Sequence, residues 1–229
     1  MNGLPEHPQI VIVGPGSMGM VHAALFHQVG YNVVMLDYRP DRAEYISDHG
    51  VSVSGAVNLQ ARVPAFADAK AIGPVDLVVF FVKAHSTAQA VEGAAACIGD
   101  ETALLTLQNG LGNIAHLQKA AEDDRILGGT TSTGAYRTGQ ASVELVAVGD
   151  AHIGSVGGNE ALAWEVADLL QQADLPAEIA DDVDQIIWRK AIINAGINPL
   201  GALMRVENGV IPRVEASRLL QEKLVAEAE

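Results

Sequence analysis

The sequence is short of the residues on which several large function classes depend. It has a single cysteine, Cys97, in 229 residues, so no internal disulfide forms, which fits a reducing, cytoplasmic setting. Cys97 lies in an alanine-rich stretch expected to be helical and reads as a small buried hydrophobe, not as a nucleophile. Basic residues are also scarce: 14 Lys and Arg against 28 Asp and Glu leave a net charge of −14. Nucleic acid and anionic membranes are therefore not expected as partners. Any anion the chain binds must be held by local donors against that field. No apolar run reaches the roughly 18 residues of a membrane span. Residues 1–9 lack a basic segment followed by an apolar one, so no secretory signal is expected. The seven histidines form no HxxxH pair and none lies near a second cysteine, so no metal site is expected either.

What is present is ordinary for a soluble α/β protein: 49% hydrophobic residues, 18% charged and 23 glycines, enough for one good core and a second small domain. Apolar runs at 10–13, 33–36, 76–82 and 102–107 read as buried strands. Helices are expected at 17–29, 41–49 and 86–98, with weak alternation over 51–66 giving short strands or loops. This alternation predicts a Rossmann-like, doubly wound parallel sheet. After about residue 126 the pattern changes. Residues 142–148 and 151–153 read as paired strands joined at Gly149-Asp150, followed by a helix at 160–173 and an edge strand at 177–180. A long helix capped by Asp181 or Asp182 is expected to run through Asn198 and to be disrupted at Pro199. The predicted boundary lies near Asp181, between a dinucleotide-binding domain (1–180) and the start of an all-α domain (181–229).

Gly14-Pro15-Gly16-Ser17-Met18-Gly19 is a GxGxxG motif between the first strand and the first helix. The first glycine permits the tight turn, the second lets a pyrophosphate approach the backbone, and the third lets helix and strand pack closely. Free N–H groups at the helix N-terminus meet the phosphate charge. The end of the second strand is ambiguous. Asp37, 23 residues after Gly14, suits a ribose 2′-hydroxyl and NAD(H), whereas Arg39 suits a 2′-phosphate and NADP(H). Lys83 and Asn109 close the next two strands at the carboxyl edge, where ligands bind in such sheets.

The segment from Trp188 to Pro199 carries the sharpest signal. Lys190, Asn194 and Asn198, spaced i, i+4, i+8, form one polar stripe on an otherwise apolar helix. One ammonium and two amides so aligned suit a small anionic ligand such as an α-keto acid. Hydride transfer to a ketone leaves an alkoxide that needs a proton or a positive charge beside it. Lys190 can supply both, and the amides orient without adding charge.

The set Gly14-x-Gly16-x-x-Gly19, Val82-Lys83-Ala84, Gln108-Asn109-Gly110, Gly129-Thr130-Thr131 and Trp188-Arg189-Lys190-x₃-Asn194-x₃-Asn198-Pro199-Leu200 resembles the ketopantoate reductase (2-dehydropantoate 2-reductase) family, in order from about residue 10 to 208. The resemblance implies NADPH-dependent reduction of 2-dehydropantoate to (R)-pantoate, a step toward pantothenate and coenzyme A. It makes Lys190 the general acid, gives Asn194, Asn198 and Asn208 the 2-keto acid substrate, and sets Asn109 between substrate and nicotinamide ribose. Lys83 and Ala135 would line the cofactor. Arg39 stands 11 residues before Gly50, as the family's 2′-phosphate arginine stands before its glycine, which favours NADP(H).

Family members are longer, with a helical C-terminal domain closing over the substrate. A later substrate-binding serine and an acidic cofactor contact have no counterpart here, so an incomplete helical domain is expected. Such a chain exposes one apolar side of the 181–198 helix, which favours association as a homodimer. Two alternatives accompany the reductase: a non-catalytic dinucleotide-binding module, and a related reductase of another branched 2-keto acid.

Overall fold

Burial on both faces explains why the first strand is apolar along nearly its whole length. In Gln9–Val13 (β1), Ile10 and Ile12 enter one core layer while Val11 and Val13 enter the other. The computed structural model describes residues 3–228. After β1 come Ser17–Gln28 (α1), Asn32–Leu36 (β2) and Pro40–His49 (α2), then the short strands Val51–Gly55 (β3), Leu59–Ala61 (β4) and Ala65–Phe66 (β5). Leu77–Phe80 (β6), Thr87–Gly93 (α3), Ala103–Thr106 (β7), Asn113–Leu117 (α4) and Ile126–Thr131 (β8) continue the alternation. Next are Gly134–Arg137 (β9), Ser142–Ala147 (β10), Ala151–Ser155 (β11), Glu160–Gln172 (α5) and Ala177–Ile179 (β12). The helices Val183–Met204 (α6) and Glu215–Ala228 (α7) follow, bridged by a 3-10 segment, Asn208–Arg213.

The main sheet runs β12-β11-β8-β7-β6-β1-β2-β5. Its strands from β5 to β8 are parallel, as a doubly wound fold requires. The chain leaves β1 for β2 on one side and returns to β6 on the other. The crevice beyond the carboxyl end of β1 is therefore the switch point at which such sheets bind ligands. A second sheet, β4-β3-β10-β9, covers α1 from the opposite side. That explains why α1 is buried without interruption from Gly19 to Phe26, with no polar face.

The last two strands of the main sheet differ in direction: β11 runs antiparallel to β8, and β12 pairs parallel with β11. Three local expectations are corrected. The segments at 142–148 and 151–153 do not pair with each other. β10 joins β3 and β9, while β11 joins β8 and β12. Gly149 and Asp150 form the corner between the sheets: the Thr133 hydroxyl donates to the Gly149 carbonyl at 3.0 Å, and the Ser132 amide donates to that of Asp150 at 2.9 Å. The helix expected at 86–98 is broken into α3 flanked by 3-10 turns, with Gly93 ending the α-helical part. Cys97 lies in the second of these turns, buried, and burial pushes its thiol up to about 11. Finally, Pro199 does not end α6, which continues to Met204. Proline costs the helix one hydrogen bond, but packing holds the turn that follows: Leu200 and Gly201 are buried. Asp182 caps α6, its carboxylate accepting the Gln185 amide at 2.9 Å. Gly196 lets α7 approach closely, since a Cβ there would lie 2.8 Å from Val225 Cγ2. The chain ends in α7, and Glu229 lies outside the described residues.

Candidate functional site

The GxGxxG turn is set at the switch point by contacts on both sides. The Gly14 amide donates to the Leu36 carbonyl at 3.0 Å, and the Phe81 amide donates to Val13 at 2.9 Å. Gly14 has φ +93°, and a Cβ on Gly19 would stand 2.2 Å from the Gly14 carbonyl oxygen. Both positions therefore need glycine. Gly16 differs: a Cβ there would meet no protein atom within 4 Å, so the space above it is open. Gly16 caps α1 without a side-chain hydrogen bond, and no acidic residue occupies the first turn. The first intrahelical amide bond is Met20 to Gly16, at 3.0 Å. An uncapped helix start beneath open space is what a phosphate needs. Pro15 is buried, whereas Ser17 and Met18 are partly exposed at the rim.

At the end of β2, the Asp37 side chain is fully buried. Both its oxygens receive the guanidinium of Arg42 on α2, with Nη2 donating to Oδ1 at 2.8 Å. Arg39 extends outward and pairs with Asp41, Nη2 to Oδ2 at 2.5 Å. Sequence reasoning missed Arg42. Its only signal was a second arginine three residues after Arg39, in the first turn of α2.

Lys83 is exposed just beyond β6, and Asn109 is exposed beyond β7 in a turn closed by Gly110 at φ +98°. Behind them lies a buried polar network that the sequence did not reveal. Gln108 Nε2 donates to the Val82 carbonyl at 2.6 Å and to the Thr87 hydroxyl at 2.9 Å, while its Oε1 accepts from Thr106 at 3.0 Å. Thr87 in turn donates to Asn113 Oδ1 at 2.9 Å, and Asn113 Nδ2 donates to the Gly110 carbonyl at 3.2 Å. Every member finds partners, so the network ties the backbone beside Lys83 to the turn holding Asn109.

On α6, Lys190 and Asn194 are half-buried and Asn198 is exposed. The Lys190 ammonium donates to the carbonyl of Thr131 at the carboxyl end of β8. No carboxylate pairs with it among the described residues, and burial holds its pKa below the ordinary lysine value. Asn208 Nδ2 donates to Asn198 Oδ1 at 2.9 Å, extending the stripe by one amide. Gly201 makes room for that contact, since a Cβ there would lie 2.6 Å from Asn208 Oδ1. Ala135 is half-buried on β9, opposite Leu145.

Strand register brings these groups to one edge. Val13, Phe80, Thr106 and Gly128 are aligned across β1, β6, β7 and β8. Gly16, Lys83, Asn109 and Thr131 each follow three residues later in the chain. Lys190, through Thr131, thus stands at the same edge as the glycine turn, three strand spacings or about 14 Å along it. Asn109 follows β7 and Thr131 ends β8, and these two strands are direct neighbours in the sheet. A cleft of about 570 Å³ between α4 and the start of α6 reaches the turn at Gln108 and Gly110 and is also lined by Asp181, Asp182 and Asp184. Those carboxylates disfavour an anionic ligand there. No group of His, Cys, Asp and Glu among the described residues is placed to hold a metal, and no described helix is long and apolar enough to cross a membrane.

Comparison with known proteins adds to this geometry. The family model described as ketopantoate reductase PanE/ApbA matches residues 10–158, and its C-terminal counterpart matches residues 182–229. The 2-dehydropantoate 2-reductase of Streptococcus pyogenes is 31% identical over 196 residues, 85% of this chain and 64% of the relative. That of Halobacterium salinarum is 30% identical over 226 residues, 96% of this chain and 73% of the relative. The chain thus spans about two thirds of the length of these curated relatives. Among solved structures, 2-dehydropantoate 2-reductase from Geobacter metallireducens superposes with a TM-score of 0.89 at 28% identity, covering 96% of this chain and 73% of that one. D-mandelate dehydrogenase in complex with NADH superposes with a TM-score of 0.87 at 26% identity, covering 96% and 71%.

Proposed function

The chain belongs to the ketopantoate reductase family, and from that premise we propose that it catalyses NADPH-dependent reduction of 2-dehydropantoate to (R)-pantoate. The observation that carries this reading is the convergence of an open, uncapped helix start at Gly16 and a carboxylate-free Lys190 on one sheet edge. In this reading Gly14 to Gly19 receive the pyrophosphate on the α1 amides. Arg39, exposed and held by a weak surface ion pair, turns to the 2′-phosphate. Lys83 and Ala135 flank the cofactor. When bound, the nicotinamide supplies the hydride for C2 of the keto acid.

Lys190 then exchanges its Thr131 carbonyl for the substrate's keto oxygen and donates a proton as the alkoxide forms. Asn194, Asn198 and Asn208 orient the carboxylate and hydroxyl ends with neutral hydrogen bonds. Asn109, fixed from behind by the Gln108 and Asn113 network, bridges substrate and nicotinamide ribose.

The test is the loss of nicotinamide absorbance when 2-dehydropantoate is added to protein and NADPH, with NADH as the comparison. NADPH binding without turnover would instead support a non-catalytic dinucleotide-binding module. The similarity to D-mandelate dehydrogenase favours a second reading, reduction of another 2-keto acid. Faster turnover of the keto acid related to mandelate than of 2-dehydropantoate would decide for it.

The Lys190 environment also sets a pH dependence. The active form is the ammonium, and burial lowers the pKa at which it is lost. The value of kcat/KM, which reports free enzyme, should therefore fall with rising pH below the usual lysine range. A bound substrate carboxylate favours the ammonium, so the corresponding fall in kcat should come at higher pH. Coincident limbs, or a limb at the ordinary lysine value, would contradict the role. On α6 and α7 the apolar side chains of Trp188, Ile193, Leu203 and Leu220 are each exposed, and covering them would favour association. A homodimer is expected in sedimentation; a monomer at all concentrations would contradict it.

A further inference from the structure

The acidic residue that a dinucleotide fold offers to a ribose 2′-hydroxyl is already engaged in this chain. The carboxylate of Asp37 is fully buried and held by the Arg42 fork, with the Arg39 amide as a third donor at 3.2 Å. A carboxylate offers about four acceptor positions, so most of its capacity is spent inside the protein. Its charge is matched by the guanidinium of Arg42, whose side chain is only 11% exposed. The Arg39 side chain faces the other way, 45% exposed, paired with an Asp41 that is also exposed. Of the two groups that compete for the 2′ position, the anion is sequestered and the cation is presented.

We propose that Arg42 sets the cofactor choice: by burying and neutralising Asp37 it withdraws the acceptor for a 2′-hydroxyl and leaves the 2′ subsite to Arg39 and a phosphate. This rests on the NADPH reading above and deepens it. Arg42 is a positioning residue that acts through Asp37 and need not touch the dinucleotide. Without it, Asp37 becomes an uncompensated buried carboxylate, which must turn outward to water. From there it accepts a ribose hydroxyl and repels a phosphate.

The experiment measures dissociation constants of NADPH and NADH, by nicotinamide fluorescence, for wild type, Arg42→Met, Asp37→Asn and the double variant. Wild type is expected to bind NADPH more tightly. Arg42→Met should lower the NADPH-to-NADH preference by about tenfold or more. The double variant, with the charge gone, should return the preference to within about threefold of wild type. Asp37→Asn alone should leave NADH affinity within about twofold, because that carboxylate does not hold the ribose. A purely structural role for Arg42 weakens both dinucleotides alike, and an unchanged ratio in Arg42→Met overturns the proposal. If Arg42→Met does not fold, Asp37→Asn decides: a clear loss of NADH affinity overturns it. A wild-type preference for NADH removes the NADPH reading itself, whatever the variants do.

Discussion

Replacing Lys190 by methionine is expected to lower kcat by about two orders of magnitude or more, with NADPH affinity changed by no more than about twofold. The asymmetry follows from where Lys190 stands. It belongs to α6 and reaches the Thr131 carbonyl, about three strand spacings from the glycine turn. It contributes nothing to the cradle on α1. Methionine preserves the length and packing of the lysine stem but has no proton to give. The variant Lys190→Arg would keep the positive charge, yet the pKa of a guanidinium is too high for proton donation. That variant should recover substrate binding without recovering kcat. If Lys190→Met retained wild-type kcat, Lys190 would not be the acid, and the stripe would be a binding feature alone.

The second large effect concerns the glycine turn, where two neighbouring substitutions should behave in opposite ways. Gly19→Ala brings a methyl to within 2.2 Å of the Gly14 carbonyl, a backbone atom that no rotamer change can move aside. A clash of that kind costs about 3 kcal/mol, a fall in Tm of roughly 6–12 °C. Dinucleotide binding should be lost with it. Gly16→Ala meets no protein atom, and Gly16 has φ −79°, which alanine adopts freely. Its Tm should stay near wild type while dinucleotide affinity falls by about tenfold or more, because the methyl fills the space intended for phosphate. Thermal melts and dinucleotide titrations on the two variants separate the cases. Equal loss of stability in both would mean that the space above Gly16 is not the ligand's.

These two features were also the most legible in the sequence, for a shared physical reason. Each is local. The glycines answer to backbone demands within one turn, and the Lys190, Asn194 and Asn198 spacing follows from the helical repeat alone. What was hidden depends on partners distant in sequence or on packing. Nothing in the order Asp37-Tyr38-Arg39-Pro40-Asp41-Arg42 says which arginine takes the carboxylate, and the buried position of Arg42 decides it. The Gln108, Thr87 and Asn113 network joins three segments whose proximity exists only after β6 and β7 pair. Strand alternation at 142–147 and 151–155 is the same whether the two segments pair or part, and the corner at Gly149 separates them. Pro199 misled because a local breaker was weighed without the packing of Leu200 and Gly201 beyond it.

The Lys190 stripe and the glycine turn share an edge but make no direct contact, and the central claim is that a hydride donor and a keto acid fill the interval between them. Transfer of label tests this most directly. NADPH carrying deuterium at the reactive position of its nicotinamide is mixed with the protein and 2-dehydropantoate, and the pantoate is analysed by mass spectrometry. The account predicts pantoate deuterated at C2, formed by wild type and nearly absent with Lys190→Met. Unlabelled pantoate, or no pantoate from a protein that binds NADPH, would contradict it.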